Sequence, residues 1–195
     1  MNWRNSRARL HRWAGMAETT LRDEGFVLRP WRGSDLDSLV RHADDAQVSR
    51  GVSDRFPSPY TREDGEAFLS GRVIDLDDPV FAIEIDGEAC GGIGAHPGKG
   101  ERVHSAEFGY WLGRAHWGKG TMTRVVSVFA PWAMRELQLY RLYATVLAFN
   151  IGSAQVLRRN GFLEEGVQRA AVFKRGVLHD LRVFAKVRRN LDDDH

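Results

Sequence analysis

One cysteine in 195 residues, Cys90, removes two classes of protein at once. No intramolecular disulfide can form, and no zinc site built on several thiolates is available. A lone thiol suits a reducing compartment, and a cytoplasmic location is the expectation. Long apolar runs are also missing. Nothing approaches the ~18 consecutive apolar residues of a membrane-spanning helix, so no membrane partner is expected. Beyond the first residues the chain has no internal repeat, low-complexity block or Pro/Gly/Ser-rich linker. One domain is therefore expected over residues 21–189, followed by a short acidic tail at 190–195.

Charge of either sign is in small excess, a net +2, and even that excess is local. Arg4, Arg7, Arg9 and Arg12 give the first fifteen residues +4 with no acid, leaving −2 for the remainder. This removes the main composition argument for a nucleic-acid-binding surface, and nucleic acid is not the partner expected. The leader, residues 1–20, reads as a disordered extension or as translation begun ahead of Met16. Its arginines, Trp3, Leu10 and Trp13 also fit a transit peptide or a basic arm touching RNA.

What is present is patterned. Gly25–Trp31 alternates apolar and polar residues as a strand does, and Ser34-Asp-Leu-Asp37 opens a helix that should end near Asp45, with the Ser34 oxygen as cap. Thr61-Arg-Glu-Asp64 repeats that signal before a second helix, and the prolines of Phe56–Tyr60 force a loop between them. Val80–Ile85, Asp86-Gly87 and Glu88–Ile93 form a hairpin signal. A strand at Ser105–Leu112 precedes Gly118-Lys-Gly120, then a helix with Met122, Val125, Val126, Phe129, Ala133 and Leu137 on one face. Pro131 lies inside that helix and should kink or loosen it. A strand at Tyr140–Phe149, a helix at Asn150–Arg159 ended by Asn160-Gly161, and a long hairpin turning near Arg175-Gly176 complete the chain. The order β-α-α-β-β-β-α-β-α-β-β argues a mixed sheet with helices on its faces.

The segment Trp111–Met122 runs from a strand through a Gly-rich turn into a helix start. Such a turn aims backbone N–H groups at phosphate oxygens, and the helix dipole adds positive potential. Gly118 and Gly120 carry no Cβ to block the approach, and Lys119 adds a charge. It is neither a Walker loop nor a dinucleotide fingerprint.

At this turn the chain resembles the GNAT acetyltransferases, in their RimJ/RimL-like branch. Their acetyl-CoA motif, Gln/Arg-x-x-Gly-x-Gly/Ala, aligns with Trp117, Gly118, Lys119, Gly120, Thr121 and Met122; Gly120 matches strictly and Trp117 departs. Phe26–Asp35, Phe56–Asp64, Glu107–Leu112, Asn150–Ser153, Arg158–Phe162 and Gly176–Asp180 resemble further branch segments, in order across residues 21–187. The resemblance implies the GNAT fold, with central parallel strands that splay to admit a pantetheine arm. It also implies acetyl-CoA as co-substrate, bound at 117–122, Asn150 and Ser153, no metal, and an amine acceptor. A protein N-terminal α-amine is the acceptor nearest the branch; polyamines, amino acids and antibiotics are the small-molecule alternatives. A non-catalytic acyl-CoA-binding module is the rival, and a homodimer is common in the family.

Amide formation from a thioester needs a deprotonated amine, a stabilised oxyanion and a protonated leaving thiolate. Glu107, on the strand leading to the turn, is the candidate base, with a structural glutamate as its alternative. Ser153, three residues after Asn150 on one helix face, is the candidate donor to the leaving sulfur, or serves only as a first-turn residue. Many GNAT members carry a tyrosine acid four residues beyond Ser153, and Leu157 stands there. Cys90 reads as a small buried residue without a His/Asp partner pattern. His104, His116 and His179 lack metal-ligand spacing and read as solvated or packed side chains. Phe108, Tyr110 and Trp111 read as core and sheet surface, with one of them free to line an acceptor pocket.

Overall fold

The computed structural model describes residues 19–53, 56–76 and 78–188. The basic leader and the acidic tail lie outside the described residues. The elements are β1 (Leu21–Asp23), β2 (Phe26–Pro30), α1 (Leu36–Ala43), α2 (Ala46–Gly51), α3 (Arg62–Leu69), β3 (Val80–Ile85) and β4 (Glu88–Pro97). They are followed by β5 (Ser105–Leu112), α4 (Thr121–Glu136), β6 (Arg141–Leu147), α5 (Ile151–Arg159), β7 (Leu163–Lys174) and β8 (Val177–Val187). One eight-stranded sheet has the order β1-β2-β3-β4-β5-β6-β8-β7. Its neighbours are antiparallel except β5 and β6, which run parallel. The mixed sheet of the sequence reading is present.

Helices cover both faces. On one, α4 and α5 bury Val125, Val126, Phe129, Ala133, Ala154 and Leu157 against Ile93, Phe108, Leu142 and Phe184. On the other, Leu39 and Ala43 of α1 pack with Tyr60, Phe56, Phe68, Trp31 and Trp111. The side-chain period of 2 in β5 sorts its residues between these layers: Ala106, Phe108 and Leu112 are buried toward α4, and Glu107, Gly109 and Trp111 face the other way.

Two local expectations are corrected. Ser34 caps nothing by its side chain. Residues Gly33–Asp35 form a 3-10 turn, and the Asp35 carboxylate accepts from Arg32 N at 2.8 Å. Asp35 is drawn there by Arg29, a guanidinium only 3% exposed that gives it two 2.8 Å hydrogen bonds and a further one to Glu84. A charge this buried needs both carboxylates. The first helix ends at Ala43, and Asp45 instead caps a short α2, accepting from Gln47 N at 2.7 Å and Val48 N at 3.2 Å. Pro131 does not interrupt α4, which is continuous from Thr121 to Glu136. The proline is on the exposed side, where water can satisfy the Ser127 carbonyl that lacks its N–H partner. Thr61 and Asp64 form the expected capping box. The strand β1 had no signal of its own in three residues.

Candidate active site

The parallel pair β5–β6 is short. Ser105, Ala106 and Glu107 pair with Arg141, Leu142 and Tyr143, and pairing stops there. Beyond that point β5 runs five more residues beside β4, and β6 four more beside β8, so the two strands diverge into a wedge. Gly113 N donates to Cys90 O at 2.7 Å and Gly98 N donates to Ser105 O at 2.8 Å, so odd-numbered residues of β5 turn their backbone groups toward β4. By alternation, the N–H and C=O groups of Phe108, Tyr110 and Leu112 point into the wedge. This edge, which pairs with no strand beyond Glu107, is ~16 Å long at ~3.3 Å per residue.

The glycine turn stands at the wedge's open end. Gly118 and Gly120 have φ of +74° and +75°, left-handed values that favour glycine, and both positions are exposed. Gly120 is the residue before α4, and no side chain caps the helix. The first-turn N–H groups of Thr121, Met122 and Thr123 therefore face outward with the positive end of a 16-residue helix behind them. Lys119 is exposed beside them, and Thr121 is buried. Trp117 bends back, its indole N–H donating to Leu112 O at 2.7 Å, which ties the turn to the end of β5.

The closed end carries the candidate chemistry. Glu107 is exposed, and its Oε1 accepts from Thr145 Oγ1 at 3.0 Å across the last paired rung. Gly109 leaves the strand face between Glu107 and Trp111 bare; a Cβ there would meet nothing within 4 Å. On the opposite face Tyr110 reaches across to α5, its hydroxyl 2.9 Å from Ser153 Oγ and donating to Ser153 O at 3.2 Å. Burial raises the Tyr110 phenol well above its ordinary pKa, so it stays protonated at neutral pH. Asn150 caps α5 by accepting from Ser153 N at 3.1 Å, and donates to Gly51 O at 3.2 Å. Sequence reading placed Tyr110 among core and sheet aromatics; its pairing with Ser153 spans 43 residues and left no local signal.

The structure thus brings 117–122 to the mouth of the wedge and Glu107 to one face of its closed end, with Ser153 met by Tyr110 on the other face and Asn150 beyond the far end of β6, bonded to Gly51. Two cavities open nearby. One, about 350 Å³, lies between α1, α3 and β5 and is lined by Leu39, Phe56, Tyr60, Asp64, Phe68 and Trp111, among others. The second, about 190 Å³, has Arg50, Lys174 and Arg175 with Phe149 and His179. Cys90 is buried as expected, and burial pushes its thiol up to about 11, which leaves it a poor nucleophile. His104 and His179 are packed, against Tyr140 and Phe149. His116 is half-buried against the ring of His42 and lies near Cys90, both remote in sequence.

A family model for the acetyltransferase (GNAT) domain matches residues 26–163, and the chain belongs to that family. Its curated relatives include the probable N-acetyltransferase YjcK of Bacillus subtilis (strain 168), 41% identical over 92 residues, which are 47% of this chain and 50% of YjcK. The putative ribosomal N-acetyltransferase YdaF of the same organism is 32% identical over 120 residues, 62% of this chain and 65% of YdaF. The matches therefore span between half and two thirds of these relatives. Among solved structures, Mycobacterium smegmatis RimJ in complex with CoA-disulfide superposes with a TM-score of 0.71 at 27% identity, covering 83% of this chain and 81% of that one. The GNAT fold expected from the sequence is the fold observed. Among the described residues no helix is long and apolar enough to cross a membrane.

Proposed function

We propose that the chain transfers an acetyl group from acetyl-CoA to a primary amine by direct attack on the thioester, in the cytoplasm. The observation that carries this reading is the wedge: β5 and β6 part after three rungs, leaving a strand edge free, with a side-chain-free anion cradle at its mouth. The pyrophosphate is held by the N–H groups around Gly118–Met122 and by Lys119. The pantetheine arm, with two amides spaced much like those of a peptide, lies along Phe108–Leu112 and exchanges hydrogen bonds with that edge. This brings the thioester to the closed end. There the amine nitrogen, relieved of its proton by the Glu107 carboxylate, forms the C–N bond as the C–S bond breaks. A wedge-facing N–H of β5 stabilises the oxyanion. Ser153, oriented by Tyr110 and by Asn150, gives its proton to the departing thiolate and recovers one from solvent. No acyl-enzyme is formed, since Cys90 is buried and its thiol protonated.

The acceptor is a protein N-terminal α-amine in this reading. The supporting observations are the likeness to YdaF and an acceptor side left open by Gly109. The test measures CoA release from acetyl-CoA with peptides of different N-terminal residues, polyamines, amino acids and aminoglycosides. Turnover on the peptides, with the product heavier by one acetyl group, is expected. Turnover on small amines alone overturns the acceptor, and tight acetyl-CoA binding without any turnover overturns the enzyme. A homodimer is the assembly proposed, and sedimentation of the full chain checks it.

A further inference from the structure

Behind the phosphate turn, on the α1 side of the sheet, three side chains from separate segments meet. His42 comes from the end of α1, Cys90 from β4, and His116 from the 3-10 turn Arg114–His116 that leads into Trp117. One ligand atom from each lies within 4.8 Å of the other two. Two of the segments are tied by backbone, since Gly113 N donates to Cys90 O. The His42 ring occupies its place only because residue 113 is glycine: a Cβ there would stand 2.6 Å from His42 Nδ1. That contact packs Nδ1 against the chain and leaves Nε2 on the other side of the ring. Nε2 is buried and has no hydrogen-bond partner among the described residues. A buried polar nitrogen left unsatisfied costs about 1–3 kcal/mol, and native proteins rarely tolerate it without compensation. Glu88 Oε2, which also pairs with Arg41 at 3.3 Å, is 3.6 Å from it, too far for a hydrogen bond.

We propose that His42, Cys90 and His116 form a binding site for a thiophilic divalent d-block cation of the zinc class, with solvent taking the fourth position. The donor set decides the class of ion. One sulfur and two imidazole nitrogens suit zinc and its neighbours, whereas magnesium and calcium demand oxygens. Bond lengths of ~2.0–2.1 Å to nitrogen and ~2.3 Å to sulfur place tetrahedral ligand atoms roughly 3.3–3.7 Å apart, so an ion draws the present triad in by about 1 Å. Both histidines bind as neutral imidazoles. Cys90 now donates its thiol proton toward Glu88 O, 3.4 Å away, and binding of the cation releases that proton as the thiolate–metal bond forms. The ion would hold the turn that begins the phosphate cradle, because His116 is two residues from Gly118.

The site stands apart from the acetyl-transfer residues, so its test needs no activity. The full-length chain, freed of metal by a chelator, is titrated with Co²⁺ while the thiolate-to-cobalt charge-transfer absorption is followed, and Zn²⁺ is then added in competition. One equivalent of Co²⁺ should raise the band and Zn²⁺ should abolish it. His116→Gln, on a half-buried surface turn, should weaken Co²⁺ at least about 100-fold while the variant keeps the wild-type circular dichroism. Cys90→Ser should remove the band altogether. Absence of the band in the wild-type chain overturns the site, as does a band that persists at unchanged affinity in His116→Gln.

Discussion

The two faces of β5 are built from alternate residues of one eight-residue strand and do opposite work. Toward α4, Ala106, Phe108 and Leu112 are 1%, 2% and 5% exposed, and Phe108 meets the rings of Phe129 and Phe162. The other face offers a carboxylate, a bare glycine and Trp111. The packed face fixes where the strand stands, and the open face holds the groups to which the proposed chemistry is assigned. Tyr110 belongs to the packed register yet sends its hydroxyl out to Ser153. The lesson is that the same alternation which secures the core also delivers groups to both sides of the wedge.

Substitutions on each face should therefore fail differently. Phe108→Ala, which empties a fully packed site, should cost about 3–5 kcal/mol of stability in denaturant titration. Any loss of activity should follow from unfolding. Gly109→Val should leave stability within about 1 kcal/mol, because the added atoms meet open space, yet cut turnover on the order of 100-fold by obstructing the reacting groups. Equal losses of stability at the two positions would erase the contrast. Ser153→Ala should lower kcat on the order of tenfold, a thiolate being able to leave unprotonated, with the Tyr110→Phe variant intermediate.

The smallest effect belongs to acid. Glu164 and Glu165, where β7 meets the body of the sheet, are held below the ordinary carboxylate value. Hydrogen bonds from Arg182 to Glu164 and from Arg141 to Glu165 are the chief cause. The unfolded chain thus takes up protons first as the pH falls. Their contribution is complete above the unfolded value of about 4.5 and lost as pH drops through the folded values. Denaturant midpoints should be level down to that point and then decline, and Arg182→Gln should flatten the decline.

Much of this was legible in the chain. Periodicity located the strand of Glu107, the helix after Gly120 and the hairpin at Arg175-Gly176, because each is long enough for its pattern to repeat. Glycines marked the phosphate turn because left-handed backbone leaves a local trace. The Tyr110–Ser153 contact, the Arg29–Asp35–Glu84 cluster and the meeting of His42, Cys90 and His116 left none. These depend on which strands become neighbours, and no window of sequence contains that.

The account rests on Glu107 acting on the amine and not on the cofactor. The direct measurement compares Glu107→Gln with the wild-type chain for acetyl-CoA Kd, by calorimetry, and for kcat across pH with the preferred amine. We expect Kd within about twofold of wild type, kcat lower by about 100-fold or more, and loss of the acid-side limb of the profile. An unchanged kcat with the same pH profile would contradict the assignment, and so would a fall in rate matched by an equal fall in cofactor affinity.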